Sequence, residues 1–492
     1  MQFGAMKSLK LLGLAALSAL PTVLGDRTPE EIYNFFKTAL SPGSGVFYAT
    51  DGNFSQEVTP RWNAYGAPTY VIGIKPALET DVQIAVRYLS LHHIDFLGTG
   101  GGHGYTTTME EIKAGVEIDL GNFNSVAIDK AANTMTGGGS IHFRDLTGPL
   151  QDAGKELPIG SCTCVGAVGA TLGGGIGAYT SKHGLIADSL LSVRMVTGTG
   201  DLITVSANQN SDLFWGLKGA GFNFGIITQA TYRIYNASNG GYAMNADLRY
   251  SAEYNESIWN ALKQFEHDQP VGLSFDLGIG WNSTTGETYF ALNAIWAGPL
   301  EEGESLIKPF LDIPIQLKNI TEIPWSHIEA ESRFGVDSYG CVKGRSHSVY
   351  GNNLYSLDVP TLIDVTNYLD QSYKQYPPLQ FSVFAMVQYG TTVMNSVADG
   401  TAAYAFRNVV AYIHFDVSFP NSTWEAAANE VGTTTREKLY RTDGSATKDV
   451  FVNFAHGDEG PESWYTKRKL PRLLALKRKY DPHRVFTHYN GL

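Results

Sequence analysis

Two glycine-rich stretches inside residues 98–177 constrain this chain more than any other sequence feature. The first is GTGGGHGY, from Gly98 to Tyr105, and the second is GSCTCVGAVGATLGGGIG, from Gly160 to Gly177. Glycine lets backbone approach a ligand closely and adopt positive φ, where a Cβ would clash. Consecutive bare N–H groups in such loops form concave anion sites suited to a diphosphate. The imidazole of His103 and the thiol of Cys162 lie within these loops, in position to bond covalently to an electrophilic cofactor.

The order of elements around the first loop indicates a cofactor cradle of a particular kind. A short apolar strand, predicted over 94–97, runs directly into the glycine-rich loop. No GxGxxG opens a helix here with an acidic residue about 20 positions on, so the loop is not a Rossmann dinucleotide signature. The chain also lacks HExxH, GxxxxGK[ST] and GxSxG, which excludes the commonest zinc-protease, nucleotide-triphosphatase and hydrolase signatures.

Further motifs follow the first loop in a fixed order and support a family resemblance. They are DLxxF at 119–123, GSCxxVG at 160–166, HGLxxD at 183–188, FWGLKGAGFNFGIIT at 214–228 and YDPHRVF at 480–486. Together they resemble the FAD-binding (PCMH-type) domain of the vanillyl-alcohol-oxidase superfamily and, within it, the berberine-bridge-enzyme group. One glycine cluster would be a weak signal, whereas these motifs in family order cover nearly the whole chain.

The resemblance implies an α+β fold with two lobes. A PCMH-type FAD-binding domain would be joined by an α+β substrate domain whose antiparallel sheet is flanked by helices, and the C-terminal segment would return to the FAD domain. Rising aromatic content and strand-like alternation after residue 235 agree with a separate substrate lobe. The expected division is a signal peptide at 1–25, a lead-in at 26–60, the FAD domain at 61–235, the substrate domain at 236–441 and the returning segment at 442–492.

The resemblance also implies which residues hold FAD. His103 occupies the position at which the family bonds the flavin 8α-methyl group, and Cys162 occupies the position that bonds flavin C6 in doubly linked members. We therefore expect FAD to be attached through His103 and also through Cys162. The other expected cofactor-binding residues are Thr99, Gly100, Gly101, Gly102, Gly104, Gly166, Gly169, Gly174, Gly177, Gly225, Ile227 and Tyr489.

The cysteine count leaves one pairing open. The chain has three cysteines, Cys162, Cys164 and Cys341, and an odd count in an exported protein leaves one thiol free or used elsewhere. If Cys162 holds flavin, Cys164 and Cys341 remain to pair. Cys162 is otherwise a buried cysteine or half of a disulfide, and spacing does not decide because disulfide geometry is demanding.

A proton acceptor is needed if the substrate is an alcohol or phenol, because deprotonation as the hydride leaves avoids a high-energy cation. Tyr105, two residues after His103, matches a substrate-facing tyrosine of the family and is the first catalytic candidate. The sugar-oxidising members have a tyrosine in an NY pair where this chain has Asn453-Phe454. His456 and Asp458 follow at once as possible replacements. Weaker candidates in the substrate lobe are Tyr389 and Tyr404.

The N-terminus and the charge bear on location and partners. Residues 1–25 have basic residues, an apolar core of about a dozen residues and small residues near Gly25, as in a secretory signal peptide. We expect a secreted or vesicle-lumen protein. Its net charge of −12 argues against nucleic-acid or anionic-membrane partners. No metal site is expected, because the adjacent His92 and His93 end a predicted helix. Export is supported by glycosylation sequons at Asn53, Asn236, Asn255, Asn282, Asn319 and Asn421.

These features lead to one functional hypothesis and two alternatives. The leading hypothesis is an FAD-dependent oxidase that acts on a small secondary-metabolite alcohol, phenol or activated C–H centre, with dioxygen as the electron acceptor. The first alternative is a carbohydrate oxidase acting at an anomeric hydroxyl. The second is a flavin-holding binding protein that has lost turnover. The oligomeric state is not predicted.

Overall fold

The computed structural model describes residues 27–335, 337–442, 444–445 and 447–492. The predicted signal peptide therefore lies outside the described residues. Within the described part of the chain, the strands form two sheets in a first lobe, a third sheet in a second lobe and one short pair. No helix there has the length and apolarity to cross a bilayer.

The first sheet places the start of the first glycine-rich loop. Its order is β1-β2-β4-β3, with β1 antiparallel to β2 and the other neighbours parallel. The lead-in contributes β1 to this sheet, and the glycine-rich loop leaves the end of β3. The strands are β1 (Gly45–Tyr48), β2 (Tyr70–Lys75), β3 (Phe96–Thr99) and β4 (Gly115–Asp119).

Two helices pack beside this sheet. Helix α1 (Pro29–Ala39) is capped by Thr28, whose side chain accepts from the Glu31 N–H. Helix α3 (Glu79–Leu91) connects β2 to β3, as a parallel crossover requires. Residues Thr80 to Gln83 have the sequence pattern of a capping box, which predicts that they begin α3. This prediction is wrong, because Asp81 fills that role: its carboxylate accepts from the Leu78 N–H at 2.9 Å.

The second sheet is antiparallel, in the order β5-β6-β10-β8-β9. Apolar alternation at 190–197 and 202–205, with a glycine-containing turn at 198–200, predicts a hairpin, and the pairing of β8 with β9 confirms it. A short pair, β7 with β11, lies beside it. The strands are β5 (Val126–Asp129), β6 (Thr134–Gly138), β7 (Lys155–Glu156), β8 (Leu190–Thr197), β9 (Leu202–Ser206), β10 (Gly225–Arg233) and β11 (Tyr235–Asn236).

The third sheet forms the second lobe and confirms the prediction of an antiparallel sheet there. Seven strands pair in the order β15-β12-β14-β13-β17-β18-β16. They are β12 (Tyr242–Ser251), β13 (Leu273–Asn282), β14 (Glu287–Trp296), β15 (Leu317–Pro324), β16 (Ser346–Leu354), β17 (Val383–Tyr389) and β18 (Ala411–Phe419).

The two faces of this third sheet differ in polarity. Side chains alternate along each strand, so Phe275, Ile413 and Phe415 enter an apolar core whereas Asp276 and His414 point to the opposite face. Helices α8 (Asn255–Lys263), α13 (Val359–Gln375) and α15 (Glu425–Tyr440) cover the apolar face. The polar face is left toward the first lobe.

The remaining helices are short or lie at the junction of the lobes. They are α2 (Phe54–Glu57), α4 (Phe143–Asp152), α5 (Ala167–Leu172), α6 (Thr180–His183), α7 (Ser211–Ala220), α9 (Leu300–Leu306), α10 (Lys308–Leu311), α11 (Ile328–Gly335), α12 (Asp337–Gly340), α14 (Thr392–Ser396), α16 (Pro461–Tyr465) and α17 (Leu470–Tyr480).

The chain's last residues return to the first lobe. The Asn490 side chain accepts from the Thr106 hydroxyl at 2.7 Å, immediately after the first glycine-rich loop. Its amide also donates to the Val452 carbonyl at 3.0 Å. The backbone N–H of Leu492 donates to the Asn223 side chain at 2.9 Å. The segment after residue 450 therefore completes the first lobe.

A buried ion pair joins the two lobes. Arg407, before β18, donates to both carboxylate oxygens of Asp188, in the HGLxxD motif, at 2.9 and 2.7 Å. The exposed fractions of the two side chains are only 6% and 9%, so the pair is shielded from water. Removing one partner of such a pair leaves an uncompensated buried charge.

We therefore predict that Asp188→Ala lowers the free energy of unfolding by about 3–5 kcal/mol, the usual cost of breaking a buried pair. The matched control is Asp312→Ala, which removes an exposed ion pair with Lys308 and should cost at most about 1 kcal/mol. Urea denaturation of both variants measures the difference. Equal midpoints for the two variants would contradict the prediction.

Candidate functional site

The two glycine-rich loops meet backbone to backbone. A Cβ placed on Gly101 would lie 2.6 Å from the backbone nitrogen of Gly166, in the second loop. A Cβ on Gly100 would lie 2.9 Å from the carbonyl oxygen of Gly139. Because real Cβ atoms do not approach backbone this closely, only glycine permits the contact. The predicted loops are thus brought together, with their backbone groups exposed to the space between them.

Most of the other predicted glycines are also required by close packing, and one is not. A Cβ on Gly169 would meet nothing within 4 Å, so the protein itself does not require glycine there. The nearest atoms to an added Cβ are Pro60 O at 2.8 Å for Gly102, Tyr489 Cε2 at 2.5 Å for Gly104, Tyr404 Cδ2 at 2.8 Å for Gly174, Ile159 O at 1.6 Å for Gly177 and Val196 O at 2.3 Å for Gly225.

A cavity of about 460 Å³ opens beside these loops. It reaches the N-terminal end of helix α4, where the N–H groups of Phe143 and Arg144 donate to the carbonyls of Val165 and Thr163 in the second loop. Its lining residues are Thr59, Gly100, Gly121, Asn124, Val126, Ser140, His142 and Asp145. Of these, only Gly100 was predicted as a cofactor contact. The GGGS cluster at 137–140 was a sequence signal for this part of the site.

His103 is held as a neutral imidazole. Desolvation, followed by the positive charges of Lys343 and Arg61, lowers its pKa to about 3. Its ring stacks on Trp62 with centroids 5.0 Å apart. A neutral ring keeps a nitrogen lone pair available at neutral pH, which is what a bond to an electrophilic carbon requires.

The structure resolves the cysteine pairing that the sequence left open. Cys164 and Cys341 form a disulfide, with Cα atoms 5.8 Å apart, and Cys162 is a free thiol. Cys162 is partly exposed as a residue, but desolvation of its sulfur raises the pKa of the thiol above its ordinary value. The positive charge of Arg333 opposes this shift. The disulfide sulfur of Cys164 lies 3.4 Å from Nε2 of His103.

Residues 337–345, here called the strap, run from the second lobe across both loops. Asp337 accepts from the backbone N–H and the hydroxyl of Thr163, at 2.9 and 2.6 Å. Trp62 Nε1 donates to the Gly340 carbonyl at 2.7 Å. The Lys343 ammonium lies 3.4 Å from the carbonyl oxygen of Gly101. Hydrogen bonds and the disulfide therefore attach the strap to each cofactor loop.

An aromatic and imidazole cluster lies where the polar face of the third sheet meets the first loop. The ring of Tyr105 meets that of His414 edge-on, with centroids 5.4 Å apart. Phe454 approaches His414 from another side at 4.9 Å. The Tyr105 hydroxyl is buried and has no hydrogen-bond partner among the described residues. Burial lowers the pKa of His414, so its ring is neutral at neutral pH.

Sequence reasoning missed His414, because an isolated histidine in a strand carries no local motif. Its neighbour on the same sheet face, Asp416, bonds to His347 Nδ1 at 2.8 Å. His347 stacks on Trp62 at 4.2 Å, and its Nε2 has no partner among the described residues. Trp62 therefore separates His347 from His103, whereas His414 faces Tyr105 directly.

The other base candidates are occupied by structural contacts. His456 Nδ1 bonds to the Val349 carbonyl oxygen at 3.0 Å, and its ring stacks on Tyr350 at 4.3 Å. Asp458 forms a bidentate ion pair with Arg436, at 2.6 and 2.7 Å. These contacts favour a supporting role for both residues and leave the proton-accepting role untested.

The two weaker tyrosine candidates are also buried. The Tyr404 hydroxyl pairs with that of Tyr412 at 2.8 Å, and its ring packs on Gly174 of the second loop. Tyr389 is only 4% exposed, and burial raises the pKa of its hydroxyl strongly. Burial raises the pKa of both hydroxyls, so both stay protonated at neutral pH.

The residues present fit an FAD molecule. The cavity of about 460 Å³ beside the loops includes bare backbone at Gly100 and Gly121, which suits the diphosphate of the cofactor. Thr99 ends β3 and Ile227 lies in β10, so both border the loops, as the sequence implied. Tyr489 lies against Gly104 and stacks near Phe222 at 4.5 Å.

Comparison with known families agrees with this geometry. A family model described as "FAD binding domain" matches residues 72–206, and one described as "Berberine and berberine like" matches residues 450–492. The chain is 42% identical over 470 residues to the FAD-linked oxidoreductase azaL of Aspergillus niger, covering 95% of this chain and 98% of that protein. It is 38% identical over 482 residues to the FAD-linked oxidoreductase tazG of Aspergillus terreus, covering 97% and 98%.

Solved structures share the fold at low identity. Physcomitrella patens BBE-like 1 superposes with a TM-score of 0.81 at 22% identity, covering 94% of this chain and 98% of that one. A xylooligosaccharide oxidase from Myceliophthora thermophila superposes with a TM-score of 0.77 at 21% identity, covering 94% and 98%. At these identities the likeness establishes the fold alone.

The loop contact generates a test of the cradle. We predict that Gly101→Ala lowers the flavin content of the purified protein, because the added Cβ forces the loops apart at a cost of about 1–3 kcal/mol. The ratio of visible flavin absorbance to protein absorbance measures this. Gly148→Ala is the matched control, since nothing lies within 4 Å of that position in α4; it should retain flavin. Full flavin content in Gly101→Ala would contradict the cradle.

Proposed function

Because the chain belongs to the berberine-like family of FAD-linked oxidoreductases, we propose that it is an oxidase of a small secondary-metabolite alcohol, phenol or activated C–H centre. Bound FAD would accept a hydride from that substrate and pass the electrons to dioxygen, which gives hydrogen peroxide. The observation that supports this proposal most directly is the cluster of Tyr105, His414 and Phe454 between the flavin loops and the polar sheet face.

The attachment of FAD is part of the proposal. His103 and Cys162 lie on adjoining loops, one as a neutral imidazole and the other as a free thiol. The neutral imidazole is the nucleophilic form of His103, and the thiol of Cys162 becomes nucleophilic when it loses its proton. A cofactor bonded through both residues stays in place beneath an open cleft between the two lobes, which suits a bulky substrate.

His414 is the proposed proton acceptor. Its ring is desolvated and neutral, and it faces a tyrosine hydroxyl that has no partner among the described residues. A substrate hydroxyl placed against Tyr105 would therefore come within reach of an imidazole able to take its proton as hydride leaves. This differs from the sequence-based candidates His456 and Asp458, whose polar atoms are engaged elsewhere.

Phe454 bears on the choice of substrate. Its apolar ring lies beside His414 where a tyrosine hydroxyl would otherwise enter the cleft. An apolar wall suits an aromatic or polyketide-like substrate better than a sugar, whose many hydroxyls need polar partners. The carbohydrate-oxidase alternative draws support from the fold neighbour that acts on xylooligosaccharides, although that likeness carries no specificity.

Export completes the proposal. The predicted signal peptide and the Cys164–Cys341 disulfide both suit an oxidising compartment. Among the sequon asparagines, Asn53, Asn236, Asn319 and Asn421 are exposed, whereas Asn255 is buried at the start of α8. Asn282 is half-buried, so of the six sequons four are fully presented to a glycosylating enzyme and Asn255 is not.

A substrate panel tests the proposed class. We expect flavin bleaching without oxygen, and peroxide formation with oxygen, on hydroxylated aromatic and polyketide-type metabolites, with little response to oligosaccharides. Activity confined to oligosaccharides would favour the carbohydrate oxidase. Flavin that no compound bleaches would favour a binding protein without turnover.

The base assignment gives a separate prediction. His414→Asn should slow anaerobic flavin reduction roughly 100-fold or more, the usual contribution of a general base, while flavin content stays unchanged. In the wild type, burial lowers the pKa of His414 below 6.5. The rate should therefore be constant above this pH and fall only as His414 becomes protonated at lower pH.

His456→Asn is the matched control for this variant, since His456 is a buried imidazole that already bonds to a backbone carbonyl. Stopped-flow reduction rates across pH compare the two. A larger loss in His456→Asn, or an unaltered rate in His414→Asn, would reject the assignment.

A further inference from the structure

Two of the three cysteines compete for the same partner. Cys162 and Cys164 flank Thr163 in the second loop, and both lie beside the strap that carries Cys341. A Cβ built on Gly340, the residue before Cys341, would lie 3.3 Å from the Cys162 sulfur. The Cys162 thiol therefore lies next to the part of the strap that carries Cys341.

The strap fixes which of the two thiols Cys341 meets. Asp337 holds Thr163 through two hydrogen bonds, at 2.9 and 2.6 Å, and its Oδ1 lies 3.3 Å from the Cys341 sulfur. Trp62 holds the Gly340 carbonyl at 2.7 Å. Because Thr163 and Gly340 are both fixed, Cys341 lies against Cys164. Cys164 is buried, with 4% of its surface exposed.

The environment of Cys162 differs from that of its neighbour. It lies beside the Arg333 guanidinium, whose charge favours the thiolate. Arg333 is held in turn by the Ser161 carbonyl and by Asp276 of the polar sheet face. The Cys162 thiol therefore lies beside Arg333 and Gly340, whereas the Cys164 sulfur lies 3.4 Å from His103 Nε2.

We propose that the Cys164–Cys341 disulfide selects the cofactor sulfur, by occupying Cys341 and thereby keeping Cys162 from being oxidised into a protein disulfide. This inference rests on the proposed attachment of flavin at Cys162. The disulfide forms first, when two thiols lose two protons and two electrons to a small-molecule disulfide, which is reduced to two thiols. Attachment of Cys162 to the flavin would then break the S–H bond and a ring C–H bond and form a C–S bond. Dioxygen would accept the two protons and two electrons released and become hydrogen peroxide.

The test is a peptide map, without reduction, of variants exported from one host. The wild type should show Cys164 bonded to Cys341 and flavin on the Cys162 peptide. In Cys164→Ser, Cys341 should pair with Cys162, and flavin on Cys162 should fall at least tenfold while the link through His103 remains. In Cys164→Ser/Cys341→Ser, Cys162 has no partner, and its flavin should return.

The return of flavin in the double variant separates sulfur selection from a merely structural role, which the double variant would not restore. Cys162→Ser is the control: it should keep the Cys164–Cys341 bond and carry flavin through His103 only. Cys164→Ser with flavin still on Cys162 and a free Cys341 would overturn the proposal. So would a folded double variant, with a wild-type circular dichroism spectrum, that lacks flavin on Cys162.

The unaltered chain provides a second measurement in case the variants fold poorly. Protein exported under riboflavin limitation is alkylated with N-ethylmaleimide before unfolding. We expect the Cys164–Cys341 disulfide with Cys162 alkylated, and a Cys162–Cys341 disulfide would overturn the proposal. If flavin-replete wild type has a free Cys162, the attachment and the selection of a cofactor sulfur both fail, and a Cys162–Cys341 bond in Cys164→Ser would then show only that the native disulfide prevents mispairing.

Discussion

Direct contact between two stretches of bare backbone is the constraint on which the rest of the site depends. Gly101 and Gly166 approach so closely that a single Cβ on either would collide with the other loop. Every other feature of the cofactor site is arranged around that contact. The imidazole of His103, the thiol of Cys162 and the phenol of Tyr105 lie on the same two loops, so their spacing follows from the backbone and not from side-chain packing.

The second lobe supplies what the loops lack. Its seven-stranded sheet buries one face against helices and presents the other, with Asp276, His414 and Asp416, toward the cofactor loops. The strap holds the lobes in this relation through hydrogen bonds to Thr163 and Trp62 and through a disulfide that spans 177 residues of sequence.

Local patterns in the sequence identified the parts of the site that depend on local chemistry. Glycine runs predicted the loops, apolar alternation predicted strands such as β8 and β13, and family motifs predicted FAD. Local patterns could not predict contacts between segments that are far apart in the sequence. His414 carries no motif, and its contact with Tyr105 appears only when β18 is placed opposite the first loop. The pairing of Cys164 with Cys341 likewise depends on the path of the strap. At the first turn of α3, Asp81 and not Gln83 caps the helix, because the Asp81 carboxylate reaches the backbone N–H of Leu78.

The contact between Asn490 and Thr106 has a consequence for how the first lobe folds. It joins segments 384 residues apart in sequence, and the Leu492–Asn223 contact spans 269 residues. Contacts between such distant segments carry a large loop-closure cost and slow folding. The first glycine-rich loop therefore gains these contacts only when widely separated parts of the chain have come together.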